Sequence, residues 1–179
     1  MTPIPLRPAP VAIVFAALVL LVQPAARAEG AHVHGAVHLD VAIDARSLVI
    51  EMEAPLDSLL GFERAPRSAA EKQAAQAMLA RFEQAHNLFM PDAAAACTFK
   101  NASAASAALQ PGAKAGEHAD LDGRFEWDCS NAAAARSIDI GPLLDAFKRI
   151  QAVEVQIASP AGQFKQGLKR PQRVLRWGR

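Results

Sequence analysis

Strict alternation of apolar and polar positions predicts strands that bury one face. The pattern is clearest over residues 120–129, where apolar and polar side chains take opposite parities. It recurs over residues 37–43 and 48–52, which a short polar segment separates. Because residues two apart on a strand face the same side, the last two stretches predict an antiparallel hairpin. We expect further short strands at residues 97–99, 153–157 and 164–168.

The pattern changes to a helical period after residue 67. Ser68 and Glu71 form an S-x-x-E capping box, which is typical of a helix start. Apolar positions three or four apart then run to residue 89, and Pro91 ends the segment. Pro142 predicts the first turn of a shorter helix that reaches Arg149. The sum is an α+β fold, with antiparallel sheet or sheets, one longer helix and one short helix in a single domain.

Two segments carry the composition of loops. Residues 59–66 follow the proline at position 55 and contain a glycine and a further proline. Residues 100–117 are rich in alanine, serine and glycine and include Pro111 and Gly112. We expect the second segment to be a flexible loop rather than a repeat.

The amino-terminal segment has the organisation of a cleaved signal peptide. Arg7 precedes the apolar run at residues 11–22, and Ala26 and Ala28 fit the A-x-A cleavage pattern. We therefore expect residues 1–28 to be removed and residues 29–179 to form one periplasmic domain. Twelve residues span about 18 Å as a helix, which is short of a membrane core of about 30 Å. No later apolar run approaches that length, so stable membrane insertion after cleavage is not expected.

Charge and cysteine content narrow the function further. Loss of Arg7 and Arg27 leaves 17 basic against 18 acidic residues (19 − 2 and 18 − 0), which gives no support for a nucleic-acid partner. The two cysteines, Cys97 and Cys129, favour one disulfide in an oxidising compartment. Two thiolate metal ligands are the alternative, although neither cysteine lies in a C-x-x-C pattern.

Three of the five histidines lie within seven residues. In an extended segment, His32 and His34 point the same way with Cα atoms about 6.5–7 Å apart, so their imidazoles can converge on one ion. His38 shares their parity but lies about 13 Å beyond His34 on a straight strand. It joins the same ion only if Gly35 bends the chain.

A second pair of possible ligands, His118 and Asp120, leads into the clearest strand. If this pair lies beside His32 and His34, three nitrogens and one oxygen suit a tetrahedral zinc ion. A flexible, polar amino terminus is the alternative for the first pair. His86 is more typical of a packing histidine, and Glu63 beside Arg64 is more typical of a surface ion pair; whether either joins the site stays open.

Four motifs in order carry a resemblance to a known family: HVHG at the start of the mature chain, GFERAP, the paired cysteines, and HAD before the strand that ends in cysteine. The chain resembles the ZrgA-like periplasmic zinc-binding proteins over nearly its whole mature length. The resemblance implies zinc binding and a link to zinc acquisition, with the metal role on His32, His34, His118 and Asp120. The loop at residues 100–117 lacks the histidines that many relatives carry there, so we expect one ordered site rather than a reservoir.

The motifs of common enzyme classes are absent from the sequence. It contains no G-x-S-x-G, no H-E-x-x-H and no phosphate loop, so an enzyme is not expected. We expect a periplasmic protein that holds about one Zn²⁺ and supports zinc acquisition or buffering, with zinc-uptake components of the envelope as partners. A protein-interaction module of the cell envelope that binds no metal is the alternative.

Overall fold

Nine strands and three helices form the part of the chain that the computed structural model describes, residues 33–113 and 119–178. These residues belong to one compact unit. In chain order, the strands are β1 (Ala36–Asp44), β2 (Ser47–Pro55), β3 (Met90–Pro91), β4 (Cys97–Ala105), β5 (Asp120–Cys129), β6 (Ser137–Asp139), β7 (Ala152–Ser159), β8 (Gly162–Lys169) and β9 (Val174–Arg176). The helices are α1 (Leu56–Leu60), α2 (Ala69–Glu83) and α3 (Gly141–Ala146).

The predicted α+β class is confirmed. The larger sheet has the strand order β4-β5-β2-β1-β7-β8, and the smaller sheet has the order β3-β6-β9. The hairpin expected from residues 37–52 is present as β1 and β2, with Val41 opposite Ile50. All strand pairs of the larger sheet are antiparallel except β1 and β7, which run parallel. The alternation along the sequence therefore predicts the six strands of the larger sheet, although one pairing in it is parallel instead of antiparallel. The sequence pattern does not predict the three short strands of the smaller sheet.

Several boundaries differ from those expected. Helix α1 takes up the first two residues of the loop expected at 59–66, since it runs from Leu56 to Leu60 with Gly61 as its C-cap. Helix α2 ends at Glu83 instead of reaching Pro91, because a 3₁₀ turn takes over at residues 85–87. Strand β4 occupies the first part of the segment expected to be flexible, so the loop begins only after Ala105.

Aromatic side chains fill the space between the larger sheet and α2. Phe82 of α2 stacks on Phe125 of β5 and on Phe147, with ring centroids 5.8 and 5.1 Å apart. Phe89 adds a second contact to Phe125 at 5.1 Å. The opposite face of the sheet carries polar side chains such as Glu51, which pairs with Arg124. One face of the sheet is thus core, and the other is an open polar surface.

A disulfide joins Cys97 and Cys129, as the sequence predicts. The two residues lie directly opposite each other in the register of β4 and β5. The thiolate-ligand alternative is therefore excluded in this structure.

Among the described residues, none of the helices combines the length and apolar character that a membrane span needs.

The start of α2 shows the predicted capping box. The Ser68 hydroxyl accepts a hydrogen bond from the Glu71 backbone N–H at 3.1 Å, and the Glu71 carboxylate accepts one from the Ser68 backbone N–H at 3.2 Å. Arg64 also donates to the Glu71 carboxylate at 2.7 and 3.0 Å. The hydrogen bonds from Arg64, followed by one from the Arg67 backbone N–H, lower the pKa of Glu71 to about 2.

Replacing Glu71 with glutamine should therefore lower stability at neutral pH and have less effect in acid. The depressed folded-state pKa stabilises the fold above about pH 4.5, and this contribution is lost as the pH falls towards about 2. Urea unfolding across this range should give free energies of unfolding for Glu71→Gln and wild type that differ at neutral pH and converge at the acid end. Glu83→Gln, at the other end of α2, is the matched control; a constant gap between the Glu71→Gln and wild-type curves would contradict the assignment.

Candidate metal site

His34 lies in a tight turn that leads into β1. The backbone N–H of Ala36 donates to the carbonyl of Val33 at 2.9 Å, and Gly35 has a φ of +80°. This left-handed conformation favours glycine, because a side chain there costs about 1–2 kcal/mol. Gly35 therefore bends the chain before β1 begins. The extended segment predicted for His32 and His34 is not tested, because His32 lies outside the described residues.

Three hydrogen bonds hold the turn against the rest of the protein. The backbone N–H of Gly35 donates to the hydroxyl of Ser58, a fully buried side chain of α1, at 3.0 Å. The carbonyl of Gly35 accepts from the backbone N–H groups of Gln151 and Ala152 at 2.7 and 3.0 Å. His34 is therefore presented by backbone that is fixed on two sides.

Two carboxylates flank the His34 imidazole, one at each ring nitrogen. Nδ1 lies 3.2 Å from Oδ2 of Asp57, and Nε2 lies 3.8 Å from Oε2 of Glu63. The His34 side chain is 67% exposed, whereas both carboxylate side chains are only 16% exposed. The ring thus lies at the surface over two largely sheltered acids.

Helix α1 and its end place these two acids. Asp57 lies in the first turn of α1, directly after β2, and α1 ends at Gly61, whose φ is +85° and whose N–H donates to the Asp57 carbonyl at 2.9 Å. The chain then turns and brings Glu63 to the same imidazole. Sequence reasoning missed Asp57 because it missed α1. Arg64 pairs with Glu71 rather than with Glu63, so the surface pair expected for Glu63 is not formed.

A guanidinium holds the other side of Asp57. Nη2 of Arg149 donates to Oδ1 of Asp57 at 3.0 Å, and Nε donates to the backbone carbonyl of the same residue at 2.8 Å. Arg149 follows α3 and is 92 residues away in the sequence. The sequence gives no local signal for this contact.

The second predicted ligand pair meets the same region through its backbone. Asp120 starts β5 opposite Pro55, and the carbonyl of Ala119 accepts a hydrogen bond from the N–H of Leu56 at 2.8 Å. Asp57 directly follows Leu56 in the sequence, and His118 directly precedes Ala119. His32 and His118 themselves lie outside the described residues. Within the described ranges, no group of three or more His, Cys, Asp or Glu side chains is arranged to hold a metal ion.

The other two histidines have separate surroundings. His38 lies on the open face of the larger sheet, where its Nε2 is 3.2 Å from Asp40 and 3.3 Å from the amide nitrogen of Gln156. His86 packs on Phe99, with ring centroids 5.0 Å apart, as expected for a packing histidine. None of these contacts involves Asp57 or Glu63, the two carboxylates beside His34.

Two side chains at this position, His34 and Glu63, are of types that zinc accepts as ligands. Oδ2 of Asp57 lies 3.2 Å from Nδ1 of His34. A hydrogen on Nδ1 would leave Nε2 with a free lone pair, as in the carboxylate–histidine–metal triads of metalloproteins. Two ligands of a tetrahedral zinc lie about 3.4 Å apart when each is 2.0–2.1 Å from the ion. Nε2 of His34 and Oε2 of Glu63, 3.8 Å apart, need only a small side-chain adjustment to reach that spacing.

The fold and this site define a class: an α+β domain with one disulfide and a histidine–carboxylate pair beside the start of β1. Residues 31–177 match the family described as ZrgA family zinc uptake protein. The chain therefore belongs to this family of zinc uptake proteins, as the resemblance implied. No curated protein matches the chain.

Proposed function

We propose that this zinc uptake protein works in the periplasm and binds about one zinc ion at the His34 site. The observation that carries the proposal is that Oε2 of Glu63 lies 3.8 Å from Nε2 of His34 while Oδ2 of Asp57 lies 3.2 Å from Nδ1. Imidazole and carboxylate are ligands that zinc accepts. The amino-terminal signal pattern and the disulfide support export to an oxidising compartment.

His32 and His118 complete the coordination in this proposal. His32 is two residues from His34, and His118 is bonded to Ala119, whose carbonyl is held by the first residue of α1. Both histidines are thus close in sequence to residues that lie at the site or are hydrogen-bonded to α1. Three imidazoles and one carboxylate give the four ligands of a tetrahedral zinc.

The fourth ligand is Glu63 or Asp120. The distance to His34 favours Glu63, whereas the sequence pattern favours Asp120, whose backbone is paired with Pro55. We propose Glu63 as the zinc-binding carboxylate. With zinc held in this way, the protein keeps the ion available to zinc-uptake components of the envelope, either as a carrier or as a buffer.

Zinc calorimetry on the purified protein tests this proposal. We expect saturable binding of about one zinc per chain, and a clear loss of affinity in Glu63→Ala, by at least about tenfold. Asp120→Ala is the matched control and should stay close to wild type. The absence of saturable zinc binding would refute the proposal and favour an interaction module; a loss in Asp120→Ala alone would return the ligand role to Asp120.

A further inference from the structure

Arg149 contacts Asp57 in a geometry that only a planar, multiply donating group can make. Its guanidinium donates to the backbone carbonyl and to both carboxylate oxygens of Asp57, at 2.8, 3.0 and 3.3 Å. The guanidinium also lies over Gly61, the residue that ends α1, with Cζ 3.5 Å from the position of a Cβ there. Lysine could not make this set of contacts, because its ammonium is a point donor.

The backbone that carries Arg149 is itself held on two sides. The backbone N–H groups of Gln151 and Ala152 donate to the carbonyl of Gly35, the residue after His34. On the other side, the guanidinium of Arg170 donates to the carbonyls of Ile150 and Leu144, both at 2.6 Å. The same short segment therefore supports the His34 turn through its backbone and Asp57 through the Arg149 side chain.

We propose that Arg149 is a positioning residue for zinc, an inference that rests on the proposed function of the His34 site. Arg149 donates to the backbone carbonyl and to both carboxylate oxygens of Asp57, and so fixes the carboxylate with Oδ2 3.2 Å from Nδ1 of His34. The ring is then oriented with Nε2 towards Glu63, and Asp57 is kept as an outer partner instead of a zinc ligand. Arg149 never touches the metal in this scheme and acts through Asp57 alone.

A double-mutant cycle on zinc affinity separates this role from a general structural one. Arg149→Ala and Asp57→Ala should each weaken zinc binding by about 10- to 100-fold, the range found for outer partners of metal ligands. Since Arg149 acts through Asp57, the double variant should bind no more weakly than Asp57→Ala alone. Arg46→Ala removes another exposed Arg–Asp pair, with Asp128, and should bind zinc within about twofold of wild type.

A measurement on the zinc-free protein tests the positioning itself. Ring ¹⁵N chemical shifts of His34 should show the hydrogen on Nδ1 in wild type and a mixture of both tautomers in Arg149→Ala. Three results would each overturn the inference without contradicting the zinc site. These are wild-type zinc affinity in Arg149→Ala, a loss of affinity in the double variant equal to the product of the two single losses, and an unchanged His34 tautomer in Arg149→Ala. Failure of the wild type to bind zinc would overturn both the inference and the function on which it rests.

Discussion

Replacing His34 with alanine should remove tight zinc binding and leave the fold intact. His34 supplies the only described imidazole next to Glu63, so its loss should weaken affinity by more than the roughly 10- to 100-fold cost of losing an outer partner. Its side chain is 67% exposed and contributes little to the core, so stability should stay within about 0.5 kcal/mol. Zinc calorimetry and urea unfolding of the same preparation measure both effects.

His38→Ala is the matched control for this experiment. His38 lies four residues away but contacts Asp40 and Gln156 on the open face of the sheet. We expect it to keep wild-type zinc stoichiometry and affinity. Equal losses in His34→Ala and His38→Ala would contradict a site centred on His34, as would wild-type affinity in His34→Ala.

The strands are predictable because burial of one sheet face imposes a period of two on the sequence. Residues 120–129 show that period without interruption, and β5 covers the same ten residues. Helix α1 is not predictable in this way, since its five residues are too few to show a helical period. The parallel pairing of β1 with β7 joins segments about 115 residues apart, and no local pattern encodes such a contact.

The residues of the candidate site likewise fall into those that the local sequence predicts and those that long-range contacts place. His34 can be found from residue type and spacing, because imidazoles are frequent zinc ligands. Asp57 and Arg149 cannot, since their roles come from a contact between α1 and the segment after α3, across 92 residues. Gly35 is recognisable as a possible bend, but whether it bends the chain depends on the hydrogen bonds that Ser58 and the start of β7 make to it.

Removing the disulfide should destabilise the protein more than any substitution at the His34 site. Cys97 and Cys129 are 32 residues apart, and a cross-link over that span stabilises by about 3–4 kcal/mol when the unfolded chain loses the corresponding freedom. The double variant Cys97→Ala/Cys129→Ala should therefore unfold at lower urea concentration by that free energy. Reduction of the wild type should produce a similar shift, because both changes open the same loop.

Zinc affinity should respond much less than stability to the same change, although His118 lies within the cross-linked span. The start of β5 is held by β2 through a register that runs from Ser47 opposite Asp128 to Pro55 opposite Asp120, and the disulfide is not part of it. The backbone next to the site thus keeps its partner when β4 loosens. We expect affinity within about tenfold of wild type under conditions where the variant is folded. Wild-type stability in the double variant would contradict the stabilising role, and complete loss of zinc binding by the folded variant would show that β4 helps to hold the site.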